Sequence, residues 1–253
     1  MGVTFTTDRA VGTITLDNPP ANSYDIDLMR SLAGAIADAS GSDVRVVVLR
    51  SASEKFFSAG ADVKRFLASD AEANMDMVRL AHESLAGIAR SPKLFVAWIA
   101  GHALGGGLEM ALACDLRYAA EGSFRLGTPE VTLGLLPGNG GTQRLPRIVG
   151  TGPALDLLLT GRQVGPEEAQ RLGLVSGLFA SEGDFDAHVE KLAAGPPLAI
   201  ANIKRAVYEG MERPLDDALA LERDLVEELF NSKDANEGLT AFSEKRSPSF
   251  VGA

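Results

Sequence analysis

A chain of 253 residues can bury a substantial core, either as one large domain or as a domain with a small helical appendage. With 45% hydrophobic and 23% charged residues it reads as globular, and a net charge of −10 disfavours nucleic acid or an acidic membrane surface as the main partner. The single cysteine, Cys114, excludes an internal disulfide framework, and three scattered histidines (His82, His102, His188) offer no metal-ligand spacing.

The N-terminus lacks the basic and apolar segments of a signal peptide, so a cytoplasmic protein is expected. Met1-Gly2 with Thr6 matches a short myristoylation pattern, but Val3–Thr7 already reads as a strand. That strand pairs with Val11–Leu16 in a predicted hairpin around Asp8-Arg9. The loop Asn18–Asn22 follows, then a helical pattern through Leu28, Leu32 and Ile36. Val44–Leu49 is an apolar, β-branched run and therefore a buried strand. Leu94–Ile99 is another, and Asp115–Ala119 a third, after a helix that starts near Gly105. This mixture predicts an α/β core. The long apolar stretch Leu94–Ala113 carries His102, Glu109 and four glycines, which suits an active-site segment better than a membrane span.

From Thr142 onward helix signals dominate, with only Val175–Phe179 reading as a strand. Gly150-Thr151-Gly152-Pro153 and Gly165-Pro166-Glu167-Glu168 each place a proline at a helix start. Beyond Leu198 the runs are amphipathic, as at Leu215, Leu219 and Leu225-Val226. The predicted organisation is a core over 1–195 and a helical region over 196–253 that docks or oligomerises. No internal repeat is legible.

Three segments carry candidate chemistry. Phe56–Lys64 contains Ser58-Ala59-Gly60-Ala61, small residues that let a ligand approach the backbone. Asp62 can cap the following helix and leave the Ala61 N–H free; a strand-to-helix turn packed on small residues explains the segment equally well. Gly101–Glu109 holds Gly105-Gly106-Gly107 between a buried strand and a helix read as amphipathic. Three adjacent glycines are entropically costly, and the evident use is N–H groups aimed at a developing negative charge. The spacing is not that of a dinucleotide fingerprint. Leu136–Leu145 is a third loop of small residues, open between a plain loop and cap and direct substrate contact.

Glu109 lies just inside the second helix among apolar neighbours, and Glu130 opens a short helix after Pro129. Each alone reads as a first-turn acid. Together, flanking a glycine loop, they point to paired acid and base work.

In order and spacing, four segments resemble the enoyl-CoA hydratase/isomerase, or crotonase, family: Phe57–Asp62, Gly101–Glu109, Pro129-Glu130 and Leu136–Arg144. The likeness runs from the N-terminal hairpin to Phe242–Arg246. It implies a spiral of ββα repeats followed by a helical trimerisation region, assembled as a trimer or a dimer of trimers. It implies that the N–H groups of Ala61 and Gly106 form an oxyanion hole for a thioester carbonyl. Ala59, Gly60, Asp62, Val63, Lys64 and Gly105 would lie along the coenzyme A and substrate path, which Phe242 and Lys245 would help close. Hydratases of the family carry two glutamates where many other members keep one or neither, and Glu109 and Glu130 match both. The implied reaction is addition of water to a 2-enoyl-CoA, a lyase step of fatty-acid β-oxidation type, with no metal or separate cofactor. The implied partner is the acyl-CoA substrate.

The sequence departs from the family at Trp98-Ile99-Ala100, at Thr128 in place of a frequent Gln, and by one extra residue between the glutamates, placed in a turn near Ser123–Leu126. The rival readings are an enoyl-CoA isomerase, which needs only one carboxylate, another acyl-CoA enzyme of a side pathway, and a silent CoA-binding subunit. Serine-hydrolase chemistry is disfavoured by the lack of a G-x-S-x-G elbow. Acyl specificity is expected from the region after Phe66 and the helix through Met75–Ile88.

Overall fold

A computed structural model describes residues 2–253; Met1, and with it the start of the myristoylation pattern, lies outside the described residues. The hairpin forms as β1 (Gly2–Asp8) and β2 (Val11–Asp17), antiparallel, with Arg9 in the left-handed region at the turn. In β2 Ile14 and Leu16 are buried while Thr13 and Thr15 are less so, the alternation of a sheet face. Helix α1 (Ile26–Gly41) is capped by Asp25, whose carboxylate accepts from the N–H groups of Asp27 and Leu28.

The rest of the core is built from one repeated step. A strand joins a large sheet, a very short strand joins a small one, and a helical segment leads back. The first step is β3 (Val46–Ser51), β4 (Phe56–Ser58), then α2 (Val63–Ala68) and α3 (Ala71–Arg90). The second is β5 (Leu94–Ile99), β6 (His102–Leu104) and α4 (Gly106–Ala113). The third is β7 (Leu116–Ala120), β8 (Leu126–Gly127), a 3-10 turn over Pro129–Leu133, and α5 (Gly141–Val149). Helices α6 (Thr151–Thr160) and α7 (Pro166–Arg171) lead to β9 (Gly177–Phe179). The large sheet runs β1-β2-β3-β5-β7-β9 and the small one β4-β6-β8, parallel throughout apart from the hairpin.

This is the expected spiral of ββα repeats. Its consequence is positional: the segments leaving β4, β6 and β8 lie side by side at the carboxyl ends of three adjacent parallel strands. Open α/β sheets characteristically bind ligands at such ends.

Both faces of the large sheet are covered. Val47, Leu49, Phe95, Ala97 and Ile99 face the main core with α1, α3 and α4, while Val46, Val48, Val96 and Trp98 face α8 (Glu182–Ala193). Trp98, a departure from the family, stacks on Phe185 of α8 at a ring-centroid distance of 4.4 Å. Helix α4 is buried along its whole length, so the amphipathic reading is corrected: it is a central helix with core on every side. Leu126, assigned to a turn from sequence, instead starts β8.

The boundary proposed near 195 falls between α8 and α9 (Pro197–Gly210), which is followed by α10 (Leu215–Phe230) and α11 (Lys233–Glu244). One buried lysine ties α9 to the core. Lys204 Nζ lies 2.8 Å from Asp115 Oδ2 and donates to the carbonyls of Ile88 (2.7 Å) and Lys93 (2.8 Å). No helix among the described residues is long and apolar enough to cross a membrane.

Candidate active site

The first loop leaves β4 through Ser58, Ala59 and Gly60. Tyr24 brackets Ala61: its N–H donates to the Gly60 carbonyl, and its own carbonyl accepts from the Asp62 N–H, both at 2.9 Å. Asp62 caps α2 through the N–H groups of Lys64 and Arg65. The Ala61 N–H between these bonds donates to no protein acceptor among the described residues. Ser58 and Asn22 hold the base of the loop, Ser58 Oγ donating to the Asn22 carbonyl while Asn22 Nδ2 reaches the Phe57 carbonyl.

The second loop leaves β6 and enters α4 at Gly105-Gly106-Gly107. Each glycine is required by a different neighbour. At Gly105, in the left-handed region at φ +54°, a Cβ would lie 2.6 Å from Glu130 Oε1. At Gly106 it would strike the Tyr24 hydroxyl at 2.1 Å, and at Gly107 the Ser58 carbonyl at 2.4 Å. The Gly106 N–H, at the first residue of α4, has no protein acceptor among the described residues. A Cβ built on Gly60 would come within 3.5 Å of the Gly106 nitrogen, so the two loops adjoin and their free donors share one region.

Glu109 is 1% exposed, in the first turn of α4. Its Oε1 accepts from the N–H groups of Asn139 (2.7 Å) and Gly141 (2.6 Å), while Oε2 has no protein partner among the described residues. The third loop therefore holds the carboxylate, a role neither of its two sequence readings included. Arg144 steadies that loop by donating to the Asn139 carbonyl at 2.8 Å. Burial pushes the Glu109 carboxyl up to about 7, against the two N–H bonds that favour its charge and with Glu130 adding repulsion.

Glu130 follows β8 at the start of the 3-10 turn, its carboxylate against the bare Cα of Gly105. Burial raises its pKa as well. Its Oε2 is buried with no hydrogen-bond partner among the described residues, as is the Thr128 hydroxyl two residues earlier. An unpartnered buried carboxylate oxygen is costly, and such a group is suited to exchanging a proton with something that enters the site.

The structure thus brings Gly60, Ala61, Gly105, Gly106, Glu109 and Glu130 together. Val63 and Lys64 are exposed on the first turn of α2 beside Asp62, and Ala59 is half-buried. Phe242 (87% exposed) and Lys245, the left-handed cap of α11, make no hydrogen bond to these loops within the chain. Tyr24 was missed from sequence, because nothing in a loop-to-helix segment marks one tyrosine as reaching two distant glycine loops. Asn139 was in a quoted motif, but its hold on Glu109 is set by the main chain and has no side-chain signature.

A spiral of ββα repeats whose short parallel strands bring two free N–H donors to one place is the crotonase class of fold. The comparisons agree. Residues 6–253 match the family model described as enoyl-CoA hydratase/isomerase, and the chain belongs to that family. It is 36% identical over 247 residues to the 2,3-dehydroadipyl-CoA hydratase of Escherichia coli, covering 94% of each chain. It is 35% identical over 241 residues to the short-chain-enoyl-CoA hydratase of Clostridium acetobutylicum, covering 93% of this chain and 92% of that one. The crystal structure of an enoyl-CoA hydratase from Bacillus anthracis superposes with a TM-score of 0.94 at 36% identity, over 100% of both chains.

Proposed function

We propose that this protein is a 2-enoyl-CoA hydratase, a lyase that adds water across the 2,3 double bond to give a 3-hydroxyacyl-CoA. The observation that carries the reading is the pair of carboxyls, Glu130 against the Gly105 Cα and Glu109 in the first turn of the helix that the glycines open, both with pKa values raised by burial. An isomerase needs one carboxyl to shuttle a proton; water addition uses a base for the water and an acid for C2.

In this reading the thioester oxygen accepts from the N–H groups of Ala61 and Gly106. Donors placed for an oxyanion contribute roughly 10²–10³ in rate each. Glu109, held through Oε1, uses its free Oε2 to take a proton from water as the oxygen bonds to C3. The C2–C3 π electrons move toward the thioester oxygen, giving an enolate. Glu130, whose pKa burial raises, is the acid that delivers a proton to C2 as the enolate collapses to the thioester. One water is consumed, and transfer of a proton from Glu109 back to Glu130 through solvent restores the starting state. Ala59, Gly60, Asp62, Val63, Lys64 and Gly105 line the coenzyme A path, with Phe242 and Lys245 closing it across a subunit boundary. No metal or separate cofactor is needed, since coenzyme A is part of the substrate.

The reading extends to a cytoplasmic enzyme of fatty-acid β-oxidation that works as a homotrimer or a dimer of trimers. Exposed apolar side chains support assembly, among them Leu136, Leu159, Leu215, Phe230 and Phe242. Incubation with crotonyl-CoA in ¹⁸O-labelled water tests the chemistry. The label appears at C3 of the product if the reading holds, and migration of the double bond in a 3-enoyl-CoA without label uptake would replace it by isomerisation.

A further inference from the structure

Tyr24 is buried (4% exposed) at the centre of the site, and its contacts are of three kinds. Its main chain brackets Ala61, as described above. Its ring lies over Gly106, the hydroxyl, Cε1 and Cζ occupying the space where a Cβ would project. Its Oη accepts a hydrogen bond of 2.6 Å from Asn139 Nδ2. A phenol is one donor as well as an acceptor, and the Tyr24 O–H finds no protein acceptor among the described residues.

The direction of that O–H follows from helix geometry. At helical φ near −60° the N–H bond and the Cα–Cβ bond of a residue project to the same side of the chain. Gly106 is the first residue of α4, so the hydroxyl that fills its Cβ position borders the space into which its N–H points. This is the space assigned to the thioester oxygen.

We propose that Tyr24 is a third hydrogen-bond donor to the thioester oxygen, completing with Ala61 and Gly106 a hole of two amides and one phenol. The inference rests on the hydratase reading for its substrate, and on the structure alone for its geometry. The bond strengthens as negative charge builds on the oxygen, so Tyr24 favours the enolate over the ground-state thioester. Burial, with Glu109 and Glu130 adding to it, raises the pKa of the phenol and keeps it a donor throughout.

Tyr24→Phe keeps the ring over Gly106 and removes only the hydroxyl. Two ligands separate its roles: acetoacetyl-CoA, which binds an oxyanion hole as its enolate with a characteristic near-ultraviolet absorbance, and butyryl-CoA, which carries no such charge. The variant is expected to bind the enolate roughly tenfold to hundredfold more weakly and to lose kcat by a similar factor. Butyryl-CoA affinity, KM and the thermal midpoint should stay close to those of the parent protein. Equal weakening of both ligands would overturn the proposal and assign the hydroxyl to holding Asn139. Unchanged enolate binding in a variant whose parent hydrates crotonyl-CoA would overturn it alone. A parent protein that hydrates no enoyl-CoA would instead remove the reading beneath it.

Discussion

Glu130 rests its carboxylate against the bare Cα of Gly105, so closely that a Cβ there would fall 2.6 Å from Oε1. Gly105 also sits at φ +54°, where side chains are strained. Gly105→Ala is therefore expected to displace Glu130 and to lower kcat by about 10²-fold, the scale of losing a positioned acid. Stopped-flow hydration of crotonyl-CoA checks this. Parent-like kcat would show that the Glu130 position does not depend on the glycine.

The pH profile should report Glu109. As the base it must be ionised, and its carboxyl is pushed up to about 7 by burial. kcat/KM is expected to fall as pH drops through that region. Burial raises the pKa of Glu130, the acid of the proposed mechanism, as well, so the two carboxyls titrate as a coupled pair. A profile flat from pH 5 to 8 would contradict the assignment.

The same shift has a stability consequence. Between the ordinary carboxyl value of 4.5 and about 7 the folded state binds more protons at Glu109 than the unfolded chain does. Stability is thus lost as pH rises through this window, and the full penalty, on the order of 3 kcal/mol, applies above it. Glu109→Gln avoids ionisation while its carbonyl still accepts from Asn139 and Gly141. Urea denaturation should find the variant more stable than the parent at pH 8, with the gap closing toward pH 4.5.

Lys204 provides a test away from the chemistry. With Asp115 it forms a pair whose side chains are 6% and 9% exposed, and Asp115 also accepts from the Phe95 N–H and the Tyr208 hydroxyl. Lys204→Ala leaves that carboxylate buried without its cation, an expected loss of about 3–5 kcal/mol. Urea denaturation measures it, and adding Asp115→Asn should recover part.

How far the sequence carried this account depended on strand length. The continuous β-branched run Val46-Val47-Val48-Leu49, buried on both faces, and the alternating β2 of the hairpin announced the large sheet, because six- and seven-residue strands are long enough to carry a run or a period. Strands β4, β6 and β8 have three, three and two residues, too few for any period, so the small sheet was invisible in the residue pattern and the repeat came only from the family resemblance. The residues that the structure brings together were legible where residue type stands out in the sequence: Gly105-Gly106-Gly107, Asp62 as a cap, and the two glutamates. They were illegible where long-range packing decides, as at Tyr24, which lies 82 residues from the Gly106 it covers, and at Asn139, whose main-chain N–H holds Glu109 from 30 residues away.

The central claim is that two carboxyls with raised pKa values flank one oxyanion site and divide the work of hydration. Its most direct test is the steady-state rate of crotonyl-CoA hydration by the parent protein, Glu109→Gln and Glu130→Gln, with butyryl-CoA affinity measured alongside. The account predicts hydration by the parent, a loss of roughly 10²–10⁴ in kcat for each variant, and near-parental butyryl-CoA binding in both. Full activity in either variant, or no hydration by the parent, would contradict it.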